Sequence, residues 1–306
     1  MPKPKSDIAK NSKTPFSFIK NRFYFYAFSG ILFVAALSSI IFFRFNLGID
    51  FAGGTILDVR FNQTVSTTSI NQVIQASGIN YFTVQPSQGD YFIQTKTLDD
   101  ATRKTLETAL NKVGSYKEMS YDSVGPSVSA DLRQKAILCS ILVSLAIILY
   151  IAYAFRSIPK GYSSFVFGLA AVIALLHDAT ITAGVFSFLG HFDKNIVVDA
   201  YFITALLTTG GYSVHDTIVV ADRLRENLIK KDGSIGNLAD LSLWQVLTRS
   251  ISTSMTTLFV SLSLFLLGGQ SVKNFALALV VGVTIGTYSS IFVAVPLIVD
   301  WYSRKK

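Results

Sequence analysis

Two dipeptides place ionisable groups deep inside apolar runs: His177-Asp178 and His215-Asp216. A charged side chain within a membrane-spanning helix is costly and rare, and it marks a proton carrier, a counter-ion or a helix tie. Thr209, Ser213 and Asp216 recur at i, i+4 and i+7, which puts two hydroxyls and a carboxyl on one helix face. Gly210 and Gly211 lie beside them and allow close helix contact or a kink. Arg249 enters the next apolar run at a depth where its guanidinium could reach Asp216. Burial disfavours the charged form of a carboxyl and a nearby arginine favours it. A carboxyl under both influences is suited to take and release protons as helices move. One proton crossing about 100 mV releases about 2.3 kcal/mol, an energy source that needs no nucleotide.

Each candidate has a plainer reading. Asp178 and His177 serve equally as a tie between helices. For Asp216, the hydroxyl face and the approaching arginine favour a proton relay. The run 250–263 is dense in hydroxyls, and Gly282 and Gly286 form a small-xxx-small pair. Both patterns point to close helix packing, and the hydroxyls also fit a hydrated path. Other chemistries lack their signatures: there is no HExxH zinc motif and no P-loop, and no GxSxG elbow. Asp178 and Asp216 could form an aspartyl dyad, but Val214-His215-Asp216 stands where intramembrane aspartyl proteases carry GxGD. No enzyme activity, catalytic residue, metal or cofactor is expected.

Such residues need helices that cross a bilayer, and the composition supplies them. Of 306 residues, 50% are hydrophobic and 15% charged, with a formal charge of +8 and a mean hydropathy of +0.46. Soluble chains carry about 25% charged residues, so the composition excludes an ordinary soluble protein, a disordered chain and a nucleic-acid binder. The single cysteine, Cys139, excludes an intramolecular disulfide. A span needs about 20 mostly apolar residues. Six segments qualify: Phe23 to Phe43, Ala136 to Phe155, Tyr162 to Leu189, Ile196 to Ala221, Ile251 to Leu267 and Phe275 to Trp301. The first lacks a small-residue cleavage site and reads as a span rather than a secretory signal.

Lysine and arginine in short flanks set orientation. Lys3, Lys5, Lys10, Lys13, Lys20 and Arg22 precede the first span. Arg156 and Lys160 follow the second, and Arg223, Arg225, Lys230, Lys231 and Arg249 the fourth. Arg304, Lys305 and Lys306 close the chain. All fall on one side, so both termini are expected in the cytoplasm. The expected organisation is a tail at 1–22, a first helix at 23–43, an extracytoplasmic domain at 44–131, a five-helix bundle at 132–301 and a tail at 302–306. Within 44–131, Thr55 to Phe61 alternates as a half-buried strand. Leu98 to Val113 reads as an amphipathic helix, with Asp99 near its start. Thr68 to Ala76 is a weaker helix, and Tyr81 to Pro86 and Tyr91 to Thr95 form a hairpin. This is a small α+β, ferredoxin-like domain.

Four stretches carry a family resemblance: NLGIDFAGGT at 46–55, GPSVSADLRQKA at 125–136, GYSVHDTIVVADRLREN at 211–227 and TRSISTSMTT at 248–257. Together with six spans and one external domain after the first, they resemble the SecF family, the smaller membrane subunits of the bacterial SecD–SecF complex. The resemblance covers nearly the whole chain beyond the N-terminal tail. It implies an inner-membrane protein of the resistance-nodulation-division superfamily, paired with SecD in a pseudo-symmetric body of twelve spans. It further implies work beside the Sec translocon channel and its motor, where the proton-motive force helps to draw out preproteins. The family's proton-path aspartate and arginine fall on Asp216 and Arg249. The family usually has asparagine before that aspartate, and this chain has His215, either a titratable neighbour or a neutral donor in the asparagine's place. Asp178 joins the expected relay by position, and its family role is unassigned. The alternative is a proton-coupled small-molecule transporter of the same superfamily.

Overall fold

The structure, a computed structural model, describes residues 15–87, 89–154 and 162–303. The basic residues Lys3, Lys5, Lys10, Lys13, Arg156, Lys160, Arg304, Lys305 and Lys306 lie outside the described residues. The helices are α1 (Arg22–Phe43), α2 (Ile49–Ala52), α3 (Thr67–Ala76), α4 (Asp100–Val113), α5 (Pro126–Ala154), α6 (Ser164–Phe192), α7 (Ala200–Lys230), α8 (Ile235–Leu267), α9 (Gln270–Ser289) and α10 (Val295–Ser303). A π-helical turn, Ser290–Ala294, joins α9 to α10. The strands are β1 (Gly54–Phe61), β2 (Phe82–Ser87), β3 (Asp90–Thr95) and β4 (Tyr116–Val124).

Two compact units divide the described chain. A helical unit holds the residues up to Phe45, with Cys139–Phe192 and Tyr201 onward; a sheet unit holds Asn46–Leu138 with Asp193–Ala200.

The sheet unit follows the order β-α-β-β-α-β, and its strands lie in the order β2-β3-β1-β4, all antiparallel. In β1 the alternation buries Leu57, Val59 and Phe61. They pack with Ile93 of β3, Ile70 and Ile74 of α3, and Leu106 and Leu110 of α4. Each of these side chains stabilises the unit by roughly 1.5–3 kcal/mol. Ser66 caps α3 by accepting from the Ser69 amide, and Asp99 caps α4 by accepting from the Thr102 amide at 2.9 Å. Gly53 and Gly54 both have positive φ, +76° and +138°. A Cβ on Gly54 would sit 2.6 Å from the Thr95 carbonyl oxygen, so the turn into β1 requires glycine.

Two features of this unit differ from the sequence expectation. β4 was not foreseen, because Tyr-Lys-Glu-Met-Ser-Tyr-Asp-Ser-Val has no apolar alternation. It is an edge strand, mostly exposed, that turns only Tyr116 and Tyr121 onto the core. The segment 193–200 also belongs here. The Gly48 amide donates to the Val198 carbonyl, the Val198 amide to the Asn46 carbonyl, and the Asp50 carboxylate accepts from the Ala200 amide at the start of α7.

In the helical unit, α6 and the stretch Val272–Ser303 are equally enclosed, and more so than the other long apolar helices. Gly184 lets α1 approach: a Cβ there would lie 2.4 Å from the Ala36 Cβ. Ser39 Oγ donates to the Gly184 carbonyl at 3.0 Å, and Ser187 Oγ to the Ser39 carbonyl at 2.9 Å. Arg22 pairs with Asp300 at 2.7 Å, which ties α1 to α10. Asp240 of α8 pins residues 16–21: it accepts from Ser17 Oγ and from the Ile19 amide, and Trp244 donates to the Phe16 carbonyl.

Among the described residues, five helical stretches are long and apolar enough to cross a membrane: Arg22–Phe43, Pro126–Ala154, Ser164–Phe192, Ile235–Leu267 and Val272–Ser303. The expected fourth span, Ile196 to Ala221, falls in α7 only from Ala200 on, and the hydroxyl, histidine and aspartate residues there dilute its apolar run. The fifth starts well before Ile251, because Ser234 caps a helix that begins at Ile235.

Candidate functional site: two buried carboxyls on neighbouring helices

Asp178 sits midway along α6 and Asp216 in α7, and each is only 5% exposed. Thr209 and Ser213 share the buried face of α7 with Asp216. Asp178 Oδ2 accepts from Ser213 Oγ of α7 and from Ser289 Oγ of α9, each at 2.6 Å. Its Oδ1 lies 3.0 Å from His177 Nδ1. The His177 ring stacks on Phe33 of α1 and leaves Nε2 buried with no protein partner among the described residues. Asp216 Oδ1 accepts from Ser250 Oγ of α8 at 2.5 Å, and its Oδ2 from Ser290 Oγ at 2.8 Å. Thr287 Oγ1 donates to Ser254 Oγ at 2.6 Å and closes α9 onto α8 just beside this site.

Small residues make this convergence possible. A Cβ on Gly282 would meet Thr209 Oγ1 at 2.5 Å, one on Gly286 would meet Ser213 Cβ at 2.9 Å, and one on Gly210 would meet Leu175 Cδ1 at 2.7 Å. Gly211 differs: nothing lies within 4 Å of its Cβ position, because it points roughly 100° round the helix from Gly210. It takes no part in the packing expected of it.

Arg249 does not meet Asp216 in this structure. Ser250 faces the carboxyl and is fully buried, so the preceding residue is turned away and exposed. Arg249 instead lines an open groove of about 420 Å³ with Asp222, Glu226 and Gln245. His215 is likewise exposed beside the buried Asp216. The geometry therefore brings together Asp178, Asp216 and four serines, and leaves His215 and Arg249 on the outer face.

Of those serines, Ser213 and Ser250 stood out in the sequence, and Ser289 and Ser290 did not. The signal was available: Gly282, Gly286 and Ser289 follow i, i+4 and i+7, so the glycine stripe ends in a hydroxyl on the same face.

A charged carboxylate accepts from two hydroxyls, and a protonated one must donate one bond of its own. The fold and site define a polytopic membrane protein with two acids buried between its helices. Residues 105–304 match the family described as protein export membrane protein SecD/SecF, C-terminal, and residues 38–65 match the SecD/SecF GG motif. The GG motif covers the Gly53-Gly54 turn. The chain belongs to the SecF family of protein-export membrane proteins. It is 37% identical over 302 residues to the protein translocase subunit SecF of Thermobaculum terrenum, with 94% of each chain covered. It is 37% identical over 304 residues to SecF of Haemophilus influenzae, covering 96% of this chain and 89% of that one. The crystal structure of SecDF from Thermus thermophilus, a translocon-associated membrane protein, superposes with a TM-score of 0.83 at 32% identity. The match takes in 95% of this chain and 39% of that one.

Proposed function

We propose that this chain works with SecD as a proton-driven auxiliary of the Sec translocon and helps preproteins leave the channel and its motor. The observation that carries this reading is Asp216: a carboxyl 5% exposed, held by the hydroxyls of Ser250 and Ser290, with no cation on it among the described residues. An ionised acid kept away from water is costly unless paired, and uptake of a proton relieves that cost. A carboxyl in this setting can therefore couple proton passage to a rearrangement of its donors. Arg249 reaches Asp216 in another state of the cycle, after α8 turns or its side chain swings inward. Asp178 and His215 belong to the same relay.

The rest of the reading follows from placement. α7 completes six crossings, because its polar face is turned onto α6 and α9 rather than onto lipid. Both termini lie in the cytoplasm, and the membrane is the bacterial inner membrane. The sheet unit stands on the far side, and its element and strand orders support a ferredoxin-like fold. The work is transport without hydrolase chemistry, nucleotide or cofactor. Asp216→Asn should still co-purify with tagged SecD and should lose the proton-gradient stimulation of preprotein export. Undiminished stimulation in that variant overturns the relay.

A further inference from the structure

The two carboxyls share one short piece of chain. Ser289 serves Asp178 and Ser290, the next residue, serves Asp216. These serines stand at the passage from α9 into the π-helical turn Ser290–Ala294, and such turns inside helices mark functional sites with unusual frequency. Each serine also has a second acceptor within reach. Ser289 Oγ lies 3.2 Å from the Gly286 carbonyl oxygen, and Ser290 Oγ lies 3.0 Å from the Thr287 carbonyl oxygen. A hydroxyl has one hydrogen to give, so each serine gives it either to its acid or to its own helix.

We propose that the Ser289–Ser290 step couples the two acids, and that Asp178 is a positioning residue whose protonation state sets the readiness of Asp216 to exchange its proton. The inference rests on the proton-carrying role assigned to Asp216 above. When Asp178 is charged, Oδ2 holds the hydrogens of both Ser213 and Ser289. When a proton arrives on Oδ2, that oxygen becomes a donor, and one serine must turn its hydrogen elsewhere. Ser289 is the one with a second acceptor. Its hydrogen passes to the Gly286 carbonyl, which already accepts the Ser290 amide. A second donor on that oxygen loosens the bond that fixes Ser290 in the turn, and Ser290 is the donor to Asp216.

The surrounding groups leave this path uncluttered. Asp178 faces His177 on its own helix, Ser213 on α7 and Ser289 on α9. Asp216 faces Ser250 on α8 and Ser290 on the turn. The charged or titratable neighbours of Asp216, namely His215 and Arg249, are exposed.

The test uses the full chain in complex with SecD. Infrared difference spectra across pH follow the carbonyl stretch of the protonated Asp216 carboxyl, assigned by its loss in D216N. Both D178N and S289A should move the midpoint of that band by roughly half a pH unit or more, about a threefold change in proton affinity. S289T, which keeps the hydroxyl, should restore it. A midpoint unchanged in both D178N and S289A overturns the coupling while Asp216 still titrates. A parent protein in which no band is lost in D216N overturns the role of Asp216 itself, and the coupling with it.

Discussion

Gly282→Ala tests whether helix spacing holds the carboxyl site together. A Cβ at this position would lie 2.7 Å from the Thr209 Cβ as well as 2.5 Å from its Oγ1. The hydroxyl can rotate away, but the Cβ is fixed to the α7 backbone. Restoring an ordinary contact of about 3.4 Å means separating α7 from α9 by about 0.7 Å. The same displacement stretches the 2.8 Å bond from Ser290 to Asp216 to about 3.5 Å, the outer edge of hydrogen bonding. Overpacking of this kind costs roughly 1–3 kcal/mol. Gly211→Ala is the control, since it meets nothing within 4 Å. Alanine in an open helical position gains roughly 0.5–1 kcal/mol over glycine. The two substitutions are chemically identical, so a difference between them comes from what the new methyl meets. The assay is thermal denaturation of the full chain in detergent, together with gradient-stimulated export. Gly282→Ala should lower the midpoint by several degrees and weaken stimulation, while Gly211→Ala should leave the midpoint unchanged or raised. Equal midpoints for the two variants refute the claim that this crossing sets the site.

Two further substitutions probe the sheet unit. Gly54→Ala puts a Cβ 2.6 Å from the Thr95 carbonyl at φ +138°; it should cost more than about 1 kcal/mol and show as faster proteolysis within β1 and β3, and parent-like cleavage would contradict the strained turn. Burial raises the Asp58 carboxyl above its ordinary range, with Asp90 adding to the effect and Arg60 opposing it, and its Oδ1 is buried without a partner among the described residues. A raised folded-state value makes the favourable contribution complete below the unfolded value near 3.8 and lost as pH rises through the folded one. Asp58→Asn should therefore stabilise the unit at pH 7 by at most about 1 kcal/mol, because the side chain is only half-buried, and should confer no gain near pH 3; hydrogen exchange of the β1 amides at the two pH values measures this, and an equal gain at both would contradict the titration.

The long apolar runs made most of the helices legible, and the two acids stood out because charge is rare inside them. Local rules also reached the β1 alternation and the α4 cap, since each depends on residues close in sequence. What escaped depends on distant partners. β4 earns its place by pairing with β1, although its own residues lack a pattern. Nothing near Asp240 in sequence points to its partners, and it closes on Ser17 and Ile19 more than 200 residues away. Ser289 and Ser290 look like ordinary small residues of a packed helix until Asp178 and Asp216 are placed opposite them. Arg249 shows the reverse error: sequence depth brought it near Asp216, but helical phase gave the contact to Ser250.

That replacement bears on how the site works. Arg22 and Asp300 form the direct ion pair that ties α1 to α10, each side chain partly exposed. Asp216 has hydroxyl donors instead, and Asp178 has two of them beside the His177 ring. Truncating one partner of a buried ion pair costs about 3–5 kcal/mol, because the other charge is left uncompensated, so a cation closed on a carboxyl as buried as Asp216 would resist separation. A serine at a helix passage can release an acid and still satisfy its hydrogen on a carbonyl of its own turn, at the cost of a small rotation. Acids that must change protonation state while helices slide are better served by donors of this second kind. On this reasoning Arg249 stays at the groove with Asp222 and Glu226 while the hydroxyls hold Asp216, and the cycle proposed above needs it on the carboxylate only where a charge has to be held.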